Sequence, residues 1–304
     1  MGFDGFIQIL LGGLMQAAVL ALATFGIVLI FKTSFTTNFA QGSIASFSAY
    51  VMYTVINIFF ETGVERTPWY FYLIGMFAAI ITAFLMGLFV DTMIIRKAKY
   101  ITSVGKQMIT MGLVLILTAL TDIIFGVSTK KIDRISYQAF ATDGAFRINV
   151  GAHELFAILL SFSILILVFM ALRFTKWGLG VRATASNEIV SSMMGINTRF
   201  ITAMSWAIAG SLGALAAALY APSTAFLSSA MMTSFQVNGF LALILGGAST
   251  FHGPIIAAII IPIVSGLIAY FESAWAGVIV YVIILVVILI KPNGLFGKKV
   301  QKKV

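Results

Sequence analysis

Long, uninterrupted apolar runs constrain this chain more than any other feature of its sequence. A helical run of about twenty such residues crosses the roughly 30 Å of hydrocarbon in a bilayer. The runs cover Phe6 to Phe31, Phe39 to Phe60, Trp69 to Ile95, Gln107 to Phe125, Leu155 to Leu172, Phe200 to Ala221, Met231 to Gly247, Pro254 to Phe271 and Ala274 to Ile290. We therefore predict an all-α polytopic membrane protein, with a single transmembrane domain over residues 1–304 and about eight or nine transmembrane helices.

The composition excludes several other classes of protein. Apolar residues make up 61% of the chain and charged residues only 10%, against about 25% charged residues in soluble domains. Little sequence is left for a fused soluble enzyme, an ATPase or a nucleic-acid-binding domain. The absence of cysteine excludes disulfides and thiolate chemistry. The first run is too long for the apolar part of a signal peptide and follows Asp4, so we expect it to stay as the first span.

The distribution of basic residues predicts the orientation of the chain in the membrane. If the runs alternate across the bilayer, one side carries Lys32, Arg96, Lys97, Lys99, Lys106, Arg173, Lys176, Arg182, Arg199, Lys291, Lys298, Lys299, Lys302 and Lys303. The other side carries only Arg66, Lys130, Lys131, Arg134 and Arg147. Cytoplasmic loops are enriched in Lys and Arg, so we predict an outside N-terminus and a cytoplasmic tail over residues 291–304.

Two of the apolar runs begin with polar residues that lipid would not accommodate. Asn38, Gln41 and Ser43 lie at the start of the second run, and Gln236 and Asn238 near the start of the seventh. Polar groups in a span usually face a cavity or another helix. One broken element in each half of the chain is typical of an inverted repeat whose broken helices meet around a transported solute. Simple interhelical hydrogen bonding remains an alternative.

The sixth run carries small residues on one face, which favours close helix packing. This face consists of Ser205, Ala209, Gly213, Ala217 and Ala221. Residues four apart lie on the same side of a helix, and small side chains allow two helix backbones to approach closely. We interpret the stripe as a packing seam inside the bundle.

Residues that could carry catalysis are scarce. The segment around Gly105 and Lys106 lacks the other residues of a phosphate-binding loop. His153 and His252 have no partner at helical spacing, so we expect interfacial polar residues and no metal site. No span core contains two carboxylates that could work as an acid and base pair. We therefore expect no catalytic centre and no cofactor on this chain.

The main polar connection on the predicted cytoplasmic side covers residues 176–199. Within it, Ala183 to Met194 can form a short amphipathic helix that is capped by Thr184 or Ser186 and ended by Gly195. Its apolar face would consist of Ile189, Val190, Met193 and Met194. Such a helix could lie on anionic lipid or dock in a groove of a cytoplasmic protein.

Five segments together resemble the permease subunits of branched-chain amino-acid ABC importers of the Liv type. They are NFAQGS at residues 38–43, TMGL at 110–113, GLGVRATASNEIVSSMMGINT at 178–198, LGGASTFHGP at 245–254 and KPNGLFGKK at 291–299. The third resembles the coupling-helix motif of that family. The segments follow one another in the expected order along the chain.

The resemblance implies an importer made of several chains in a bacterial or archaeal cell membrane. The expected partners are two cytoplasmic ATP-binding-cassette ATPases, a second permease subunit that would form a heterodimer, and an outer solute-binding protein docking on the loop at residues 126–152. ATP hydrolysis would take place on the ATPases. The resemblance also implies an ATPase contact, to which we assign Arg182, Ala183, Asn187, Glu188, Met194 and Gly195.

The sequence defines the type of importer better than it defines the transported solute. We place the pathway at Asn38, Gln41, Ser43, Gln236 and Asn238. Branched-chain or other hydrophobic amino acids are the expected solutes, and urea, amides or other small solutes are alternatives. A secondary carrier would usually place an ionisable residue in a span core, and a passive channel would have no use for an amphipathic cytoplasmic helix.

Overall fold

The apolar runs fold into a bundle of helices that confirms an all-α polytopic membrane protein. The computed structural model describes residues 3–59, 68–98, 100–141 and 149–297. Its helices are α1 (Phe3–Ser34), α2 (Gln41–Phe59), α3 (Trp69–Phe89), α4 (Ser103–Phe125), α5 (Ala152–Phe174), α6 (Lys176–Ser186), α7 (Glu188–Met193), α8 (Thr198–Tyr220), α9 (Thr233–Gly246), α10 (His252–Phe271) and α11 (Ala276–Ile290). A short hairpin pairs β1 (Ala139–Ala141) with β2 (Asn149–Gly151).

Among the described residues, six helices are long and apolar enough to span a bilayer, and α9 and α11 are shorter apolar helices. We call the end of the bundle that carries the β1–β2 hairpin the hairpin end and the opposite end, with α6 and α7, the loop end. Several basic residues used to predict orientation lie outside the described residues. They are Arg66, Lys99, Arg147, Lys298, Lys299, Lys302 and Lys303, so the predicted orientation stays a prediction.

Helix packing follows an inverted pattern that relates the first four helices to the last four. Helix α1 packs on α10 and α3 packs on α8, while α2 contacts α3 and α8 as α9 contacts α10 and α1. The directions are opposed, because Trp206 near the start of α8 bonds Ser34 at the end of α1. These contacts correspond if α1 to α4 match α8 to α11, which is the inverted repeat that the two broken runs predicted.

Small residues bring the central helices into backbone contact. A Cβ atom added at Gly87 of α3 would collide with the carbonyl of Trp206, and one added at Gly210 would collide with the carbonyl of Ala83. The predicted stripe on α8, from Ser205 to Ala221, is buried throughout. The packing seam is therefore confirmed, and it lies between α8 and the neighbouring α1, α2 and α3.

Tyr72 and His153 fasten this central group at the hairpin end. The Tyr72 hydroxyl donates a hydrogen bond to the Ala218 carbonyl at 2.8 Å. The ring of His153 lies edge-on to Tyr72, and its Nε2 is 3.0 Å from the Leu219 carbonyl. His153 is fully buried, so the expectation of an interfacial residue was wrong. Its position at the helix start did not reveal that it packs inward between α3 and α8.

The α3–α8 contact yields a prediction about stability. Replacing Gly210 by valine should lower the free energy of unfolding by about 1–3 kcal/mol, because the added side chain must push α3 away. Gly112→Val on α4 is the matched control, since nothing lies within 4 Å of a Cβ at that position. Thermal unfolding of the purified variants in detergent measures the difference. Equal stabilities would show that α3 and α8 do not approach this closely.

Candidate functional site: two broken helices and an exposed loop

Helix α2 begins in the middle of the bundle, not at its surface. The chain leaves α1 at Ser34 and returns through residues 35–40 before α2 starts at Gln41. The Gln41 Nε2 donates to the Ala23 carbonyl at 3.1 Å, which lies eleven residues before the end of α1, or about 16 Å along its axis. The second run is therefore a broken element, as its polar start predicted.

Helix α9 begins at the same depth and runs in the opposite direction. The chain passes from the end of α8 through residues 221–232 before α9 starts at Thr233. Helix α2 runs towards the hairpin end, where Phe47 contacts Phe125. Helix α9 runs towards the loop end, where Leu243 packs with Ile27 and Val28. The two helices thus diverge from a shared starting level.

Gln236 joins the two broken elements, and we call its contacts the crossing. Its Nε2 donates to the Asn38 carbonyl at 2.8 Å, and its Oε1 accepts a hydrogen bond from the Gly42 amide. The Asn38 side chain accepts from the Ala40 amide at 3.0 Å and so caps the turn that leads into α2. The structure therefore brings two of the predicted pathway residues, Asn38 and Gln236, into contact. Gln41 precedes Gly42 in the chain, but its side chain bonds the backbone of α1 and α8.

Two further hydrogen bonds fix the crossing to its surroundings. The Thr110 hydroxyl of α4 accepts from the Phe39 amide at 3.1 Å, and the Ser46 hydroxyl accepts from the Met232 amide at 3.2 Å. Backbone groups that a helix would have satisfied internally are thus satisfied by side chains. Thr110 was noted only as part of a motif, and its backbone contact across 71 positions has no signature in local sequence.

Beside the crossing lies an apolar cavity of about 420 Å³. Its walls come from α2, α4 and α9, and its polar groups come from Ser43, Thr233 and Gln236. Phe39, Gly42, Met111, Val114, Leu115, Val237 and Phe240 complete the lining. Its volume is within the usual range of about 300–1,000 Å³ for small-molecule sites. Met111 and Leu115 are exposed, so the cavity opens on the outer surface of this single chain.

Asn238 does not join the crossing, although it is only two residues from Gln236. It lies on another face of α9, where its Oδ1 accepts from the Tyr281 hydroxyl of α11 at 3.2 Å. Asn238 and Tyr281 line a separate cavity of about 140 Å³ together with Gln16 and Ser234. Helical geometry places residues two apart about 200° apart around the axis, so Gln236 and Asn238 could not have shared one face.

At the loop end, α6 is fixed to the bundle and α7 projects from it. Gly178 lies against the carbonyls of Ala171 and Leu172, where no side chain would fit, and Val181 is fully buried. Thr175 caps α6 by accepting from the Gly178 amide at 3.0 Å. In α7 and directly after it, by contrast, the large apolar side chains are exposed, with Met193 at 80% and Met194 at 78%.

The prediction of one helix from Ala183 to Met194 was wrong in its bounds. The structure has two helices that are separated at Asn187, which is extended with φ −161° and ψ 109°. Asn187 caps α7 by accepting from the Val190 amide at 3.1 Å, while Thr184 is buried within α6. The two predicted caps, Thr184 and Ser186, both lie within α6. Residue propensities did not single out Asn187, because Asn, Ser and Thr all favour the capping position. Gly195 ends α7 with φ 83°, as predicted.

The residues assigned to an ATPase contact fall on two sides of the loop. Asn187, Glu188, Met194 and Gly195 are exposed around α7, and Ala183 is half-buried on α6. Arg182 is exposed but turns back towards α5, where its guanidinium donates to the Arg173 carbonyl at 3.4 Å. Five of the six residues therefore lie at or near α7, and Arg182 lies apart.

Arg96 ties the end of this loop to the end of α3. The last turn of that span, Val90–Ile95, is a π-helix. Beyond it the Arg96 guanidinium pairs with the buried Asp91 carboxylate at 2.6 Å and donates to the Arg199 carbonyl at 2.8 Å. Since Arg199 lies in the first turn of α8, a shift of the loop would be passed to both α3 and α8.

The segment at residues 126–152, for which we predicted a docking role, is partly described. Residues 142–148 lie outside the described part. Arg134 forms an ion pair with Glu154 at 3.1 Å, and the Tyr137 hydroxyl donates to Asp133 at 2.9 Å. Burial, and then this hydrogen bond, raise the pKa of Tyr137 above its usual value. The segment is thus fixed to α5, and its surface carries both polar groups and exposed apolar side chains such as Val127 and Phe140.

The last two of the five resembling segments pack on each other at the loop end. The Leu295 amide donates to the Leu245 carbonyl at 2.7 Å, and the Phe296 amide donates to the Gly246 carbonyl at 3.2 Å. Gly247 and Gly294 both have positive φ and lie too close together for side chains. These motifs therefore specify a turn that fastens the chain after α11 to the end of α9.

The crossing yields a second prediction about stability. Gln236→Leu should lower the unfolding temperature, because it leaves the buried Gly42 amide without a partner, at about 1–3 kcal/mol. Asn238→Leu is the control. It removes a side-chain amide from the same helix, but the only hydrogen bond lost among the described residues is the one that Asn238 accepts from the Tyr281 hydroxyl. Fluorescence-detected unfolding in detergent compares them. An equal loss in both variants would contradict a joining role for Gln236.

Comparison with known proteins identifies the family to which the chain belongs. The model of the family described as branched-chain amino acid transport system / permease component matches residues 9–289. The high-affinity branched-chain amino acid transport system permease protein LivH of Escherichia coli is 20% identical, and 98% of each chain is covered. The high-affinity branched-chain amino acid transport system permease protein BraD of Pseudomonas aeruginosa is 21% identical, again over 98% of each chain.

An archaeal relative is similar over nearly the same length. The probable branched-chain amino acid transport permease protein LivH of Methanocaldococcus jannaschii is 25% identical, over 95% of this chain and 92% of its own. No solved structure matches the chain significantly. Because the family model covers almost the whole sequence, the chain belongs to the family of permease components of branched-chain amino acid transport systems.

Proposed function

We propose that the chain is the transmembrane permease subunit of an ATP-binding-cassette importer for branched-chain or other hydrophobic amino acids. The observation that carries the proposal is the exposed apolar surface of α7, held at the end of a rigidly packed α6. Exposed methionines and aliphatic side chains on a short helix are typical of a surface that docks in a groove of a partner protein. The chain itself carries no cofactor in this proposal, and its partners hydrolyse ATP.

The proposed coupling works through rigid contacts between the loop and the spans. Two cytoplasmic ATPases would hold the α7 surface around Asn187, Glu188, Met194 and Gly195, with Ala183 at its edge. Movement of α7 would be passed to α5 through Gly178 and to α3 and α8 through Arg96. Since α8 packs on α1, α2 and α3, its tilt would shift the crossing.

The proposed solute pathway passes the crossing and the apolar cavity beside it. Ser43 and Gln236 supply polar contacts, Asn38 and Gln41 hold the backbone in place, and aromatic and aliphatic side chains supply the wall. This lining suits an apolar side chain better than urea or a small amide, which would leave polar groups unpaired. Asn238, on another face of α9, would belong to the pathway only through its own cavity.

A second permease subunit would close the cavity in this proposal. The exposed side chains of α4 include Met111 and Leu115, which form one side of the opening. A partner helix placed there would separate the solute from lipid, and a heterodimer would let two different chains line it. The solute-binding protein would dock at the hairpin end, which we assign to the outside, with the loop end in the cytoplasm.

Affinity purification tests the proposal at the level of partners. The chain, tagged at its N-terminus and extracted from its native membrane in mild detergent, should recover an ATPase with nucleotide-binding motifs and a second permease. Mass spectrometry identifies the recovered chains. If the chain is recovered without other proteins under conditions that keep membrane complexes intact, this result would contradict an ATP-driven importer and favour a carrier or channel.

A substitution at Met194, directly after α7, should weaken both ATPase binding and amino-acid uptake. Met194→Asp places a charge on the apolar docking surface, and burying that charge without a partner is strongly unfavourable. We expect weaker co-purification of the ATPase and at least about a tenfold loss of amino-acid uptake, equivalent to about 1.4 kcal/mol of binding free energy.

Met194→Leu is the matched control, because it retains the apolar character and similar volume of the side chain. It should leave uptake within about twofold of the unmodified importer, since volume-conserving apolar exchanges are tolerated. Uptake of labelled leucine into vesicles and ATP hydrolysis are measured on the same samples. Normal uptake by the Met194→Asp chain would show that α7 does not contact the ATPase.

A further inference from the structure

A second surface cavity lies at the loop end, away from both the crossing and α7. It has a volume of about 430 Å³, and its walls come from the last turns of α5, from α6 and from Phe251 before α10. Ile166, Phe169, Met170, Leu172, Arg173, Phe174 and Arg182 form the rest of the lining. We call it the α5 groove. Its walls are apolar apart from two arginines.

Two basic side chains line this apolar groove, and a third, Lys32, lies beside one of its wall residues and donates to the Ser249 carbonyl. Arg173 and Arg182 line it directly, and the Arg182 guanidinium is anchored on the Arg173 carbonyl. The Lys32 ammonium lies 5.5 Å from the centre of the Phe251 ring, which forms part of the wall. In the described part of the chain, no carboxylate lies within 4.0 Å of either arginine. The groove thus offers cations that no acidic side chain of the described chain neutralises by an ion pair.

The groove extends from the loop end along the membrane-spanning helix α5. Ile166 lies eight residues before Phe174 at the end of α5, which is about 12 Å along the helix axis. Ile166, Met170 and Phe174 are all exposed on this face of the span. A helix of a cytoplasmic protein would have to enter the hydrocarbon to fill this space, whereas an acyl chain is already there.

From these contacts we propose that the α5 groove binds one anionic phospholipid of the cytoplasmic leaflet. An acyl chain fills the apolar part along Ile166 and Met170, and the phosphate pairs with Arg173 and Arg182. Basic pockets between spans on the cytoplasmic side bind anionic head groups in this way, and guanidinium groups suit phosphate geometry. The proposal rests on the orientation given with the proposed function.

The site gives Arg182 a role other than ATPase contact. Helix α6 follows Arg173 by only a few residues, and its buried side contacts α5 and α8. A phosphate held between the two arginines would add a link between α6 and the end of α5. The lipid would thereby stiffen the connection through which α7 is joined to the spans.

Lipid binding to the full-length chain tests the proposal. The purified chain in detergent is mixed with phosphatidylglycerol, with phosphatidylcholine or with inorganic phosphate, and native mass spectrometry counts the bound molecules. We expect a retained phosphatidylglycerol that neither phosphatidylcholine nor phosphate replaces. The double variant Arg173→Gln and Arg182→Gln should bind phosphatidylglycerol about thirtyfold more weakly. Each Lys or Arg near an anionic lipid surface contributes about 1 kcal/mol of binding free energy, and two of them are removed.

The double variant Arg199→Gln and Lys291→Gln is the matched control, because it also removes two positive charges at the same end of the bundle but outside the groove. It should leave phosphatidylglycerol binding unchanged. Equal binding by all three proteins, or equal binding of the two lipids, would overturn the site. Reduced ATPase co-purification with unchanged lipid binding in the Arg173→Gln and Arg182→Gln variant would also overturn it and assign the groove to the partner.

A measurement on the unmodified chain covers the case in which the Arg173→Gln and Arg182→Gln variant does not fold. Phosphatidylglycerol with a photoreactive group on its acyl chain should crosslink to the peptide that spans Ile166 to Phe174. Crosslinks spread evenly over all spans would contradict a defined site. Failure of the ATPase co-purification described above would contradict the proposed function alone, because lipid binding is measured on the isolated chain.

Discussion

A helix that begins inside an apolar bundle leaves backbone amides with no water to bind, and the structure depends on how these groups are satisfied. At the start of α2, the Gln236 side chain accepts a hydrogen bond from the Gly42 amide and donates one to the Asn38 carbonyl. Thr110 and Ser46 do the same for the neighbouring amides. Because an unpaired polar group in hydrocarbon costs several kcal/mol, the two broken elements are stable only where they meet. The place at which the chain is interrupted is thereby fixed at the centre of the bundle.

Close helix contact is the second requirement, and glycine and alanine provide it. Apolar side chains gain little by leaving lipid for another helix, so packing in a membrane relies on van der Waals contact between near backbones. Gly87 and Gly210 allow this between α3 and α8, and Gly13 lies against the backbone of Ile263 between α1 and α10. The corresponding pairs of the two halves therefore use the same means, although their sequences differ.

The sequence predicted the spans, the two broken elements, the packing seam and the exposed helix at the loop end, because each depends on local composition or spacing. It failed where the outcome depends on distant partners. Asn187 rather than Thr184 caps α7, because Thr184 is buried within α6. His153 packs inward because Tyr72 and Leu219 lie beside it. Of the candidate site, the crossing was predicted as a meeting point, but the separation of Asn238 from Gln236 follows from side-chain contacts that the pattern of polar residues does not contain.

Among the described residues, helices α5 to α7 have no counterpart in the inverted arrangement that relates α1 to α4 with α8 to α11. Apart from them, the pairing of α1 to α4 with α8 to α11 would make the two ends of the bundle nearly equivalent. A device with equivalent ends has no intrinsic sense of direction. The inserted segment makes the two ends different, because it places the exposed apolar surface of α7 at the loop end. An insertion between the two matched sets of helices thus contributes to the polarity of the molecule, and that contribution could be transferred or lost with the insertion while the paired helices remain intact.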